Sequence, residues 1–375
     1  NVIDSIFIGH GVGPLAISGL AITFPVMNLT FALVLLVGIG GASICSIRLG
    51  QQDIDGATRV LGNVLLLGLI NGVTFGLLSQ LVLDPVLTAF GASEHTLPYA
   101  RDFMQIILYG LPVTCTMFGL NHIMRATGYP QKAMLSAVLT VGMNIILAPI
   151  FIFWLKWGIR GAAIATIISQ CVSAIWVFHF LTRGNAIIKL SKKYLRLHKR
   201  LVKEITSLGF SGFIMAITNG SVQIMCNATL QRYGGDLYVG IMTVINSVRE
   251  IITMPANGLT NGAQPIISFN YGAGEKGRVK SAIRFMTVSC ILFTLFLWAL
   301  LLLFPRFFIH LFNSEPELLE KGVPAMHIYF FGIFMMALQF AGQSTFVALG
   351  CSRQAVFFSL LRKAVIVIPL TLWLP

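Results

Sequence analysis

The sequence ATGYPQKA at residues 126–133 recurs as ALGCSRQA at residues 348–355, which is 222 residues later. Three more matched pairs keep this spacing to within one residue: 109–110 (YG) with 331–332 (FG), 50–53 (GQQD) with 272–275 (GAGE), and 41–42 (GA) with 262–263 (GA). A constant spacing at four places is hard to obtain by chance among apolar segments. The sequence therefore predicts a chain built from two copies of one unit.

The composition is that of a membrane protein. Charged residues make up 10% of the chain, against about 25% in an ordinary globular protein, and apolar residues make up 56%. A soluble protein with so few charges could not cover its own surface, and disordered or nucleic-acid-binding proteins need denser charge. We therefore predict an all-α, polytopic integral membrane protein without a nucleic-acid partner.

Ten apolar runs are long enough to cross about 30 Å of hydrocarbon. They cover residues 15–47, 57–83, 99–126, 133–157, 161–181, 205–230, 237–269, 281–304, 323–349 and 355–375. A shorter apolar piece at 1–9 has the character of a helix end. Because the first residue is not Met and the last residues are still apolar, we expect a fragment. The spacing of 222 residues between two six-helix copies implies that part of the first helix and all of the twelfth are absent from it.

The repeat contains six predicted helices, an even number, so both copies enter the membrane in the same sense. We predict two six-helix bundles related by a parallel repeat, with the pseudo-two-fold axis along the membrane normal and a central cleft. The predicted domains are an N-terminal lobe at 1–181, a basic linker at 182–203 and a C-terminal lobe at 204–375. The linker either connects the lobes on the cytoplasmic side or senses anionic lipid headgroups.

The distribution of Lys and Arg sets the predicted orientation. Of the 26, seventeen fall on the side that holds the linker, six fall on the other side, and Arg249, Arg362 and Lys363 lie within spans. Because basic loops face the cytoplasm, the linker side is predicted to be cytoplasmic. This bias explains the net charge of +13.

Three glycines, Gly68, Gly72 and Gly76, recur every four residues within the predicted span 57–83. Small residues at this spacing let two helices approach closely. We predict a packing face there rather than a ligand site.

Five segments resemble the multidrug and toxic compound extrusion (MATE) family of secondary transporters. They are VIDSIFIGHGVGPLAISGLAITFP (2–25), RATGYPQKA (125–133), NIILAPIFIF (144–153), GIRGAAIATIISQ (158–170) and GLTNGAQPIISFNYGAGEKGRV (258–279). The resemblance implies two six-helix bundles around a V-shaped cleft, and export of organic cations, drugs or metabolites in exchange for H+ or Na+. We accordingly expect a monomeric transporter of small cationic amphiphiles, without enzymatic activity or further cofactor, in the lipid bilayer of a prokaryotic cytoplasmic membrane.

Acidic residues at membrane depth are costly, which makes Asp4 the first candidate for a coupling site. In the family, the aspartate of the motif matched by 2–9 binds the proton or cation, together with an Asn and a Thr on later helices. Asn144 and Thr166 match these two, although an interhelical hydrogen bond is an equal alternative for Asn144. The second acid of the family site, four residues after the Asn, is Ala148 here. Because Na+ prefers several oxygen ligands, this loss favours H+.

Arg249 and Glu250 are charged neighbours in the middle of a predicted span. Adjacent residues on a helix point about 100° apart, so we predict that the two are not simply each other's ion pair. Two roles remain open for them, a polar site in the second lobe and structural contacts with other helices. For Arg362 and Lys363, the alternatives are snorkelling to the membrane surface and facing the cleft.

Two other functions remain open. A lipid-linked sugar flippase of the same superfamily would need several basic residues for a pyrophosphate, and only Arg249, Arg362 and Lys363 could serve. An intramembrane enzyme would need His and acidic residues clustered near one membrane face, which the sequence lacks. The six cysteines and seven histidines have no metal-binding spacing, so neither a catalytic nor a metal site is predicted.

Overall fold

The computed structural model describes residues 7–8, 11–310 and 316–373 of the chain. Every regular element in this part is helical. The internal contacts of the chain separate two compact units, Asn1–Ala216 and Ile217–Pro375. Asp4 lies outside the described residues.

The first unit is built from six helices and the beginning of a seventh. They are α1 (Pro14–Gly50), α2 (Ile54–Leu81), α3 (Leu83–Ala89), α4 (Leu97–Ala126), α5 (Pro130–Pro149) and α6 (Gly158–Arg183). A π-helical turn, Ile150–Trp154, extends α5. Proline opens α1 and α5, where its missing N–H has no helical partner to lose. Asp53 caps α2 by accepting a hydrogen bond from the N–H of Gly56 at 2.8 Å.

Helix α4 lies at the centre of the first unit, in contact with α1, α2 and α6. Its Phe103 is 1% exposed. The close approach of α2 depends on glycine, because a Cβ on Gly72 would lie 2.4 Å from Pro112 Cα and one on Gly76 would lie 2.8 Å from the Leu108 carbonyl oxygen. The predicted glycine packing face is therefore confirmed.

The predicted linker lies within the first unit and is held there by hydrogen bonds. Asn63 on α2 is fully buried, accepts from the N–H of His198 at 3.0 Å and donates to the carbonyl of Arg196 at 3.2 Å. The hydroxyl of Tyr194 donates to Asp55 at 2.5 Å. The connection is thus docked on the end of α2, and the predicted lobe boundaries stay a prediction.

The second unit begins within α7 (Lys199–Gly272). It continues through α8 (Lys276–Leu303), α9 (Pro305–His310), α10 (Pro316–Phe330), α11 (Met335–Ala348), α12 (Ser352–Leu360) and α13 (Ile368–Trp373). A π-helical segment, Leu361–Val367, joins the last two helices.

The predicted spans differ from the structure in two places. Residues 205–230 and 237–269 belong to one helix, α7. Glycine between the two predicted spans does not end the helix, because it keeps its backbone N–H donor and lowers helix stability by only about 1 kcal/mol. The predicted span 323–349 is a pair of helices, α10 and α11, bent by 46°. In the described part of the chain, eight helices are long and apolar enough to cross a membrane, or nine if the bent pair is one span.

Several helices of the two units begin or end at equivalent positions. The equivalent bounds, each 222 residues apart, are Gly50 and Gly272, Ile54 and Lys276, Leu81 and Leu303, Ala126 and Ala348, and Pro130 and Ser352. A side-chain contact repeats as well: Ser46 donates to the Ala126 carbonyl at 3.0 Å, and Ser268 donates to the Ala348 carbonyl at 2.9 Å. The helix bounds and this contact confirm the internal repeat.

Candidate coupling site

Asn144 and Thr166 meet between α5 and α6. Nδ2 of Asn144 donates to Oγ1 of Thr166 at 3.1 Å, and the Thr166 hydroxyl donates to the Ala162 carbonyl one turn earlier at 3.1 Å. Both side chains are half-buried. The interhelical hydrogen bond expected of Asn144 is therefore present. Its Oδ1 receives no hydrogen bond from the residues that the structure describes, so one acceptor remains open.

Small residues bring α6 close enough for this bond. A Cβ on Gly161 would lie 2.9 Å from the backbone carbonyl carbon of Phe151, and Ala162 and Ala163 are fully buried. Ala148, one turn after Asn144, is fully buried too. The position of the family's second acid is thus occupied by a neutral side chain in the packed interior.

Two more polar contacts join helices of the first unit. Thr114 on α4 donates to Oε1 of Gln170 on α6, one turn after Thr166. Nε2 of Gln80 on α2 donates to the Gln105 carbonyl on α4 at 2.9 Å. Neither contact was expected from the sequence, although all these residues are polar and lie within apolar spans, which is the signal that could have found them.

In the second unit, Arg249 Nη2 lies 3.6 Å from Glu250 Oε1, so these neighbours form an ion pair, but Arg249 also has a partner on another helix, and the two are not simply each other's ion pair. Their Cβ atoms do diverge around the helix, but both side chains are long enough to turn back toward each other. Arg249 Nη1 also donates to the Tyr329 hydroxyl on α10 at 3.2 Å. The Glu250 side chain is 63% exposed, and so open an ion pair contributes little to stability.

Arg362 and Lys363 lie in the π-helical segment Leu361–Val367. Lys363 is 4% exposed, and this burial argues against snorkelling. Nε of Arg362 is buried without a hydrogen-bond partner in the described part of the chain.

The described residues include no group of three His, Cys, Asp or Glu side chains placed to hold a metal ion. In the first unit, the described residues of the predicted site are an amide and a hydroxyl, hydrogen-bonded to each other between two helices.

The chain was compared with known proteins. The MatE family model matches residues 1–150 and 212–373. The multidrug export protein MepA of Staphylococcus haemolyticus is 26% identical over 369 residues, which cover 98% of this chain and 81% of that protein. MepA of Staphylococcus aureus strain MSSA476 is also 26% identical, over 375 residues and with the same coverage.

Two solved structures are similar along nearly all of the chain. The MATE multidrug transporter DinF-BH, solved in complex with a small molecule, is 34% identical with a TM-score of 0.92, covering 100% of this chain and 84% of that one. An outward-facing multidrug resistance MATE family transporter is 22% identical with a TM-score of 0.92, covering 98% and 82%. The predicted all-α membrane fold is confirmed. The MatE family model matches both units, and DinF-BH is 34% identical along the whole chain. The chain therefore belongs to the MatE family of multi-pass membrane transporters, which are not enzymes.

Proposed function

We propose that this protein is a monomeric multidrug efflux antiporter of a prokaryotic cytoplasmic membrane. It exports cationic amphiphiles in exchange for protons by alternating access. The names of the staphylococcal relatives and the small molecule bound to DinF-BH support a drug-like substrate. The observation that carries the proposal is the hydrogen bond between Asn144 and Thr166, the two residues that the family resemblance implies for the coupling site.

Asp4 is the proposed proton carrier. A protonated carboxyl group donates a hydrogen bond, whereas a carboxylate only accepts. Asn144 Oδ1 accepts no hydrogen bond from the described residues and can therefore accept one from a protonated carboxyl group. The Thr166 hydroxyl proton is already donated to the Ala162 carbonyl. Protonation of Asp4 therefore changes the bonds that the first unit makes. Exchange requires that the proton affinity of Asp4 differ between the two access states.

Ala148 supports protons over sodium as the coupling ion. It is fully buried and carries no oxygen, so the proposed site has Asp4 as its single carboxyl group. A bare Na+ ion is a hard cation that prefers several oxygen ligands, and a second carboxylate would supply two of them. A proton needs one.

The test uses the purified protein in liposomes and follows export of a cationic dye under a proton gradient or a sodium gradient alone. We expect export with the proton gradient only, and none in Asp4→Asn. Thr166→Val removes the interhelical acceptor and should slow export about 10-fold, the equivalent of one hydrogen bond.

Thr140→Val is the matched control, because the Thr140 hydroxyl donates to the Ser136 carbonyl of its own helix at 3.0 Å. Its export rate should stay near the wild-type value. Export driven by sodium alone, or equal rates in Thr166→Val and Thr140→Val, would contradict the proposed site.

The flippase alternative would use the three basic side chains that lie within helical segments of the second unit, Arg249, Arg362 and Lys363. Such a protein would move a phosphate-bearing lipid between leaflets in the same liposomes and export no dye under either gradient. Dye export with unchanged lipid movement excludes this alternative.

A further inference from the structure

The first half of the linker at 182–203 is fixed to the first unit by backbone contacts. The Tyr129 hydroxyl donates to the Asn185 carbonyl at 2.7 Å. The N–H of Leu190 donates to the carbonyl of Leu181, the last buried residue of α6, at 2.9 Å. The chain therefore turns back against the end of α6 and follows a defined path.

The second half of the linker lies against α2. Asn63 bonds the backbone of both Arg196 and His198. The chain passes so close to the helix that a Cβ on Gly62 would lie 2.3 Å from the carbonyl oxygen of Tyr194. The linker is thus held along its length, and its side chains have a fixed inner and outer side.

The inner side is apolar, and the outer side combines basic with apolar residues. Ala186 is 7% exposed and Ile188 is 1% exposed, and both belong to the core of the first unit. In contrast, Ile187 is 57% exposed and Leu197 is 47% exposed. The linker contains eight Lys and Arg residues, all of them exposed, and no Asp or Glu. Two large apolar side chains therefore lie among eight positive charges on the outer side.

Little of this charge is neutralised in the described part of the chain. Arg200 pairs with Glu204 at 3.2 Å, and the other seven basic residues of the linker form no ion pair with a described carboxylate. Asp55, which lies beside the linker, is already occupied by Arg59 at 2.7 Å and by the Tyr194 hydroxyl. The outer side of the linker therefore presents positive charge that an external anion can neutralise.

The position of the linker along α2 indicates its depth in the bilayer. Helix α2 has 28 residues and is about 42 Å long, which is close to the full thickness of a bilayer with its headgroups. The linker contacts it from Asp55, in its first turn, to Asn63, about 12 Å farther along. Each headgroup layer is about 5–8 Å deep. The linker therefore extends from the headgroup layer to the edge of the hydrocarbon.

A second basic segment at the start of α8 offers a comparison. Lys276, Arg278 and Lys280 are exposed, but Glu275 precedes them, and the apolar residue among them, Val279, is buried. The charge bias that orients the chain explains basic residues in both segments. It does not explain the two exposed apolar side chains of the linker.

We propose that the outer side of the linker is a binding surface for the headgroups of anionic phospholipids in the cytoplasmic leaflet. The basic side chains contact the lipid phosphates, while Ile187 and Leu197 enter the boundary between headgroups and acyl chains. This surface goes beyond the proposed export reaction and stands whether or not Asp4 couples transport to protons.

The test measures the melting temperature of the purified protein in a neutral maltoside detergent. We expect phosphatidylglycerol to raise it saturably. Phosphatidylcholine with the same acyl chains carries no net charge and should leave it unchanged. Inorganic phosphate, at the concentration of phosphatidylglycerol that saturates the shift, should also leave it unchanged, because it has no chain to place beside Ile187.

Charge removal locates the surface. The triple variant Lys189→Gln, Lys192→Gln, Lys193→Gln should bind phosphatidylglycerol about 100-fold more weakly, or about 5-fold for each charge. The matched control is Lys276→Gln, Arg278→Gln, Lys280→Gln, which removes the same charge from α8 and should lower the affinity less than about 3-fold. Both variants should melt near the wild-type temperature without lipid, because the substituted side chains are exposed.

A single apolar change tests the other half of the surface. Ile187→Ser should lower the affinity for phosphatidylglycerol about 10-fold, because a buried isoleucine contact is lost. Ile175 on α6 is 70% exposed, and Ile175→Ser is the control that should bind like wild type.

The two triple variants decide between a specific surface and general attraction. Equal losses of affinity in both would show that net charge alone attracts the lipid, which would overturn the proposal. So would equal shifts by phosphatidylglycerol and phosphatidylcholine, a shift by inorganic phosphate, or equal affinities in Ile187→Ser and Ile175→Ser.

Discussion

The side chain at position 148 decides how many carboxyl groups can gather near Asn144. It is an alanine with none of its surface exposed, packed in the same core as Ala162 and Ala163. A second carboxylate at this position would change both the charge and the packing of the first unit.

We predict that Ala148→Asp destabilises the protein by about 2 kcal/mol or more, and by more than Ala148→Asn does. The two new side chains have nearly the same size, so overpacking affects both alike. A charged carboxylate among buried alanines costs more than a neutral amide. The measurement is the melting temperature in detergent at neutral pH, and equal shifts for the two variants would show that size alone matters.

At the scale of the helix, the packing of α2 against α4 depends on the absence of a side chain. A Cβ on Gly72 would lie 2.4 Å from the Cα of Pro112, which belongs to the backbone and cannot rotate away. Gly142 on α5 offers a contrast, because a Cβ there would meet nothing within 4 Å.

We therefore predict opposite signs for two identical substitutions. Gly72→Ala should destabilise the protein by about 1–3 kcal/mol through forced separation of α2 and α4. Gly142→Ala should stabilise it by up to about 1 kcal/mol, because alanine favours a helix where it fits. Melting temperatures in detergent test the pair, and a loss of stability in Gly142→Ala equal to that in Gly72→Ala would contradict the contact.

The docked linker is a second feature at this scale. Asn63 holds it through the N–H of His198 and the carbonyl of Arg196. We predict that Asn63→Ala frees the segment and speeds trypsin cleavage after Lys192 and Lys193 about 10-fold, because local opening becomes easier by roughly one hydrogen bond.

The control for Asn63→Ala is Asn270→Ala. The Asn270 side chain is half-buried and donates to the Ile266 carbonyl of its own helix at 2.8 Å. Its cleavage pattern should match wild type. Equal cleavage rates in the two variants would mean that Asn63 does not hold the linker.

For the whole molecule, the repeat makes a quantitative prediction. Ser46 and Ser268 are both fully buried and make equivalent bonds to the carbonyls of Ala126 and Ala348. Ser46→Ala and Ser268→Ala should each lower the free energy of unfolding by about 0.5–1.5 kcal/mol. Denaturation in mixed detergent measures both, and a loss in one variant without a loss in the other would show that the contacts are not equivalent.

The two units share helix bounds but differ in their polar interiors. The first joins α5 and α6 through the neutral pair Asn144 and Thr166. The second carries the basic side chains Arg249, Arg362 and Lys363 in its helical segments. The duplicated helices are therefore a common scaffold on which the polar side chains differ between the two copies.

The amino-acid sequence by itself determined the membrane class, most of the spans and the repeat. A backbone in lipid must satisfy its own hydrogen bonds, so a long apolar run becomes a helix whatever its neighbours are. The glycine packing face of α2 could also be predicted from the sequence, because residues four apart, such as Gly68, Gly72 and Gly76, share one side of a helix.

Only the tertiary structure decided which side chains meet. Composition does not show that α7 runs through from Lys199 to Gly272, or that the chain bends between Phe330 and Met335, because apolar residues form helices and bends alike. The ion pair of Arg249 with Glu250 depends on the path of two flexible side chains. These contacts join residues through space rather than along the chain, and periodicity carries no information about them.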